Sequence, residues 1–201
     1  MSTWVAAVVE TAGRADFWEI ARNHGVQATI ADVPKYALIE CDAGFDFQAS
    51  VRLAEALSRD LGTTSLGFVV QTNADVHELH AFSSGPAVRR LAYSRDSGGW
   101  LQVEGTAQPW ERAYFFDEAG STKTDDSGRW PDMLWDDLSD EDLARYEAAK
   151  AAGDPATVMD WMHPSSTAPM HRVCGFLGIH ADRPAGSWRK PSLWSRVFGR
   201  G

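Results

Sequence analysis

Residues 3–72, TWVAAVVETAGRADFWEIARNHGVQATIADVPKYALIECDAGFDFQASVRLAEALSRDLGTTSLGFVVQT, set short apolar runs, helical spacing and turn residues in one order. Thr3 to Val9 is too brief for a buried helix and reads as a strand covered on both faces. From Arg14 to His24, Phe17, Ile20 and Ala21 recur at helical spacing, with Thr11 available as a cap and Gly25 placed for a left-handed stop. Val26–Ile30 and Tyr36–Cys41 are separated by Asp32-Val33-Pro34-Lys35, a break that predicts a hairpin. Asp46 offers an N-cap carboxylate. Phe47, Val51, Ala54, Leu57 and Leu61 then follow at helical intervals until Gly62 ends the segment. Ser65–Val70 returns to strand character.

Strand, helix, strand, strand, helix, strand is the order of a ferredoxin-like βαββαβ core, with both helices on one face of the sheet. Three more runs, Val76–Phe82, Ala87–Ser94 and Trp100–Gly105, are divided by short turn signals and predict an antiparallel meander that widens the sheet to about seven strands. The expected class is therefore α+β, over residues 1–116. Residues 117–138 read as an acidic, tryptophan-bearing connection, 139–182 as a helical subdomain forming a C-terminal layer, and 183–201 as a basic, aromatic tail.

The helical expectations rest on caps. Ser139 followed by Asp140, Glu141 and Asp142 places a hydroxyl and three carboxylates at the positive end of a helix that Gly153 closes. Asp154-Pro155 starts a second short helix through Val158, Met159 and Trp161, stopped by Pro164. Thr167 starts a third, with Met170, Val173, Cys174 and Leu177 on its apolar side.

Charge is segregated. Residues 1–116, 117–147 and 148–201 carry net charges of −5, −8 and +4 within a total of −9. Nearly all the imbalance lies in one acidic stretch, and a chain of this sign repels a polyanion, so nucleic acid is not an expected partner. Arg89-Arg90 does not form a phosphate patch, because strand neighbours point to opposite faces. The sequence lacks a basic region before its first apolar stretch, which is short, so a cytoplasmic location is expected. Cys41 and Cys174 are too few and too distant to suggest a disulfide framework.

The search for chemistry leaves no catalytic residue, cofactor or metal site to name. His77 and His80 are three apart on a strand and face opposite ways. His171 and Cys174 share a helix side, but zinc needs three or four converging ligands, and the spacing matches no compact zinc module. Asp125-Asp126-Ser127-Gly128 lacks the alternating acids and closing glutamate of a calcium loop. No nucleophile elbow and no phosphate-cradling glycine loop occur.

The expected function is accordingly non-enzymatic: binding of another protein, in the manner of a bacterial-type immunity (antitoxin-like) or regulatory protein. The contact residues would be Trp130, Asp132, Trp135, Asp136 and Asp137 in the acidic segment, and Trp194, Arg196 and Phe198 in the tail. A second expectation is a small-molecule or enzymatic pocket between sheet and C-terminal helices, lined by His77, Glu78, His80, Tyr93 and Glu104. A third is peripheral membrane contact through the tail, where basic residues accompany Trp and Phe.

Overall fold

The structure, a computed structural model, describes residues 3–28, 32–42, 46–116, 139–160, 163–164, 166–179 and 186–188. The class is α+β, with an eight-stranded mixed sheet and five α-helices among these residues. The strands are β1 (Thr3–Glu10), β2 (Val26–Ala28), β3 (Tyr36–Cys41), β4 (Thr64–Gln71), β5 (Val76–Ser83), β6 (Ala87–Ser94), β7 (Gly99–Gly105) and β8 (Gly186–Trp188), hydrogen-bonded in the order β2-β8-β3-β1-β4-β5-β6-β7. The helices are α1 (Phe17–Asn23), α2 (Ala49–Leu61), α3 (Glu111–Phe115), α4 (Asp140–Ala152) and α5 (Ala168–Phe176). No helix among the described residues is long and apolar enough to cross a membrane.

By its internal contacts the chain divides into two compact units. One comprises residues 4–69, 80–87 and 183–201. Its core is mostly aliphatic, with Phe17, Trp18 and Phe82 beside it: Val5, Ala7 and Val9 of β1 and Ala37 and Ile39 of β3 pack with Ala54, Leu57 and Leu61 of α2. Strand β1 runs antiparallel to β3, pairing Val8 with Leu38 and Glu10 with Tyr36. Helix α2 presses directly on β4. A Cβ at Gly67 would lie 2.6 Å from the Val51 Cα, so only glycine permits this approach. Hydroxyls close the same contact, Ser50 donating to the Phe68 carbonyl at 3.0 Å and Ser65 to the Ala54 carbonyl at 2.7 Å.

Four expectations are corrected in this unit. The hairpin between β2 and β3 does not form: β8 lies between them, antiparallel to β2 and parallel to β3. The Pro34 turn is held by Thr11, whose hydroxyl and amide donate to the Pro34 and Lys35 carbonyls. Gly186 fits between its neighbours because an added Cβ would crowd Val26, Gln27 and Trp18 at 3.1–3.3 Å. Thr11 is thus engaged away from α1, which begins after Asp16 without a side-chain cap. The N-cap of α2 is Gln48, while Asp46 pairs with Arg52, and Phe47 is 38% exposed and outside the apolar face.

The other unit comprises residues 1–3, 70–79 and 88–182. Helix α4 is capped as its sequence predicts: the Ser139 hydroxyl accepts from the Asp142 amide at 3.2 Å, and Gly153 takes the left-handed stop at φ 68°. Of the expected second helix, the described residues hold a 3₁₀ turn, Pro155–Thr157, where Asp154 accepts from the Ala156 amide and the Thr157 hydroxyl, and Trp161 lies outside the described residues. Helix α5 buries Met170, Val173 and Cys174. Helix α3 has no counterpart in the sequence reading, since five residues show no readable period.

Candidate functional site

The second unit gathers four buried ionisable side chains, His77, Arg89, Glu111 and Arg172. They come from β5, β6, α3 and α5, and each is placed by the inward side of its element. Along β5, His77 and Leu79 are fully buried while Glu78 and His80 are only partly so, as a period of two requires. On β6, Arg89, Leu91 and Tyr93 are buried, and Arg90 points the other way to meet Glu104 of β7 at 3.4 Å.

Arg89 and Glu111 form a two-pronged pair, Nε to Oε1 at 2.9 Å and Nη2 to Oε2 at 2.7 Å. The spare capacity is also used: Arg89 Nη1 donates to the Gly105 carbonyl at 3.1 Å, and Glu111 Oε1 accepts the Gln108 amide at 2.6 Å. This satisfies the condition under which two buried charges are tolerable. Arg172, 1% exposed, donates from Nε to the Ala113 carbonyl and from Nη2 to the Tyr114 carbonyl, both at 2.9 Å. It therefore caps the last turn of α3 with a cation, where the helix dipole favours one.

The Tyr114 hydroxyl lies 2.8 Å from His77 Nδ1. Burial pushes the His77 imidazole down to about 3, against a weaker upward influence from the Ser166 backbone, and burial likewise pushes the Tyr114 hydroxyl well above its ordinary range. The bond at neutral pH joins two uncharged groups. A parallel pair sits nearby, the Tyr93 hydroxyl 2.9 Å from Nδ1 of exposed His163. Burial, then the charge of Asp75, raises the Tyr93 pKa, with Arg95 opposing. Trp100 meets Tyr93 and Tyr114 edge-on, at centroid distances of 5.4 and 6.5 Å. His77 Nε2 and Trp100 Nε1 are buried without a hydrogen bond of ordinary geometry.

Of the pocket residues expected from sequence, His77 and Tyr93 therefore share one aromatic cluster. Glu78 and His80 lie on the face of β5 away from His77, and Glu104 is on the exposed face of β7 beside Arg90. The five do not converge. The residues missed by sequence are Glu111, Arg172, Tyr114 and His163, which reach the cluster from positions far apart in the chain. Among the described residues no group of three or more His, Cys, Asp or Glu could hold a metal. Cys174 is fully buried and its thiol is pushed up to about 12 by desolvation.

All eight partner-contact residues, Trp130, Asp132, Trp135, Asp136, Asp137, Trp194, Arg196 and Phe198, lie outside the described residues. The flanks of the acidic segment do not. Phe116, fully buried after α3, packs its ring on Tyr146 of α4 at 5.7 Å, and Tyr146 is 1% exposed. The residue before 117 is thus held against the middle of α4, the helix that follows residue 138. No protein-family model, curated protein or solved structure matches the chain.

Proposed function

We propose that this chain is a non-enzymatic binding protein, of the toxin-neutralising or regulatory kind, which recognises a basic protein partner through residues 117–138. The observation that carries the reading is the fixed stem beneath that segment. Arg89–Glu111, the Arg172 clamp and the Tyr114–His77 bond all fasten α3, and the Phe116–Tyr146 contact joins its end to α4. Side chains that elsewhere carry out acid–base chemistry are engaged here as internal fasteners. A binding loop gains from flanks that are fixed before the partner arrives, because less freedom is then lost on binding.

The segment supplies what such a partner would read. Carboxylates Asp132, Asp136 and Asp137 supply long-range attraction for a cationic surface, and Trp130 and Trp135 supply apolar anchors. Trp194, Arg196 and Phe198 serve as a second contact. The scaffold reading that accompanies this is a ferredoxin-like core. It is supported by the neighbours β3-β1-β4 with β2 beyond β3, the order of that fold with β8 inserted.

Capture of partners by the tagged full chain, measured by mass spectrometry of lysate from its source cells, tests the proposal. Replacing Trp130 and Trp135 with alanine and Asp132, Asp136 and Asp137 with asparagine should abolish capture and leave the melting temperature unchanged. Capture by the wild-type chain should weaken as salt rises. Undiminished capture by the fivefold variant overturns the proposal.

A further inference from the structure

Strand β7 ends the sheet order and pairs with β6 alone among the described strands. Its outer row of backbone donors and acceptors is the kind of edge that soluble proteins blunt with charge, proline or cover. Besides Glu104 and a bulge, the edge carries Leu101, 59% exposed, and Val103, 46% exposed, two of the four large exposed hydrophobics among the described residues. They flank Gln102, and the register shift against β6 falls at Leu101, which lies between Trp100 opposite Tyr93 and Gln102 opposite Ala92.

The sequence of the strand is close to a palindrome. Gly99-Trp100-Leu101-Gln102-Val103-Glu104-Gly105 matches at its glycine ends and at the apolar pair beside Gln102, and differs at Trp100 and Glu104. An antiparallel pair of identical strands is related by a twofold axis, which sets residue i opposite its mirror position in the copy. We propose that a second copy of this chain pairs with β7 about an axis at Gln102, continuing the sheet across the two molecules. Leu101 then faces Val103 of the copy twice over, an apolar cross-strand match on each side of the axis. Gln102 meets Gln102, whose amides both donate and accept. Gly99 meets Gly105, and Glu104 meets Trp100 rather than another carboxylate.

Local charge permits this approach despite the net charge of −9 on each copy. Glu104 is neutralised by Arg90 on the adjacent strand, and Arg95 by Asp75. The β-bulge in the β6–β7 ladder falls at Leu101, between the Ala92–Gln102 and Tyr93–Trp100 partners, and adds local twist to the strand there. Because the remaining repulsion is long-ranged and screened by salt, association should strengthen as salt is added. That sign is opposite to the one expected for partner capture by residues 117–138, so the two surfaces fail or succeed separately.

Sedimentation equilibrium of the full chain over a concentration series is the first measurement, with a shift from one to two chain masses expected. Leu101→Lys with Val103→Lys should return the chain to one mass without lowering its melting temperature, since both side chains are exposed. Mild oxidation of Gln102→Cys should give a covalent dimer, while Glu104→Cys, opposite Trp100 in the copy, should give none. One chain mass at every concentration overturns the proposal. So does a dimer that persists in the lysine variant, or one in which Glu104→Cys cross-links and Gln102→Cys does not.

Discussion

The unit containing α1 and α2 and the unit containing α3 to α5 solve the burial of polar atoms in opposite ways. In the first, the buried polar side chains are hydroxyls, Thr11, Ser50, Ser58 and Ser65. Each bonds backbone carbonyls, as where Ser58 donates to Thr63 and accepts from the Gly85 amide. In the second they are His77, Arg89, Glu111 and Arg172. A neutral hydroxyl loses little on leaving water if its bond is made, whereas a charge must be paired or neutralised. The first unit is therefore an apolar core with neutral, local fasteners. The second depends on pairs formed between distant segments, and it is this second kind of core that holds the flanks of the acidic segment.

The largest effect should separate the two chemistries directly. Glu111→Ala leaves the Arg89 guanidinium buried beside an empty place and should cost about 3–5 kcal/mol in urea unfolding. The double change Arg89→Met with Glu111→Leu should recover most of that loss. Equal losses in the single and double variants would show that the pair contributes more than mutual neutralisation.

A smaller loss is expected in the first unit, from packing alone. Gly67→Ala sets a methyl against the Val51 backbone and should cost about 1–3 kcal/mol, with no dependence on pH. If Gly67→Ala left stability unchanged, the close seat of α2 on β4 would be looser than the contact distance implies.

The gentlest probe is pH. His77 is held neutral in the fold down to about 3, while the unfolded chain takes up the proton near 6.5. Between these values the unfolded state binds more protons, so stability falls as pH falls, by at most about 1.4 kcal/mol for each pH unit. His77→Gln should remove this component, visible as the difference between the two stability curves across that window. Parallel curves would show that His77 meets protons more easily than its burial indicates.

What was legible in the chain follows from how local each signal is. Strand β6 begins at Ala87 and ends at Ser94 as its turn residues indicate, and α4 starts and stops at the caps that Ser139 and Gly153 supply. Arg89 and Arg90 point to opposite faces because a strand has a period of two. The Arg89–Glu111 pair was not legible, since its members are 22 residues apart and an isolated glutamate before an aromatic run carries no sign of burial. Strand β8 was hidden for a different reason. Three residues, Gly186–Trp188, have too short a pattern to read, and their place between β2 and β3 comes from ladder bonds to segments about 150 residues earlier.

By itself, then, the sequence determined the α+β class, most strand and helix positions and the acidic segment ahead of α4. These depend on periodicity, caps and charge, which act over a few residues. Only the tertiary structure decided the insertion of β8, the buried ionic core around α3, the contact of Phe116 with α4 and the exposed edge at β7. Each of those is a choice of partner across long chain separations, and pairing energy there depends on which groups lose water together.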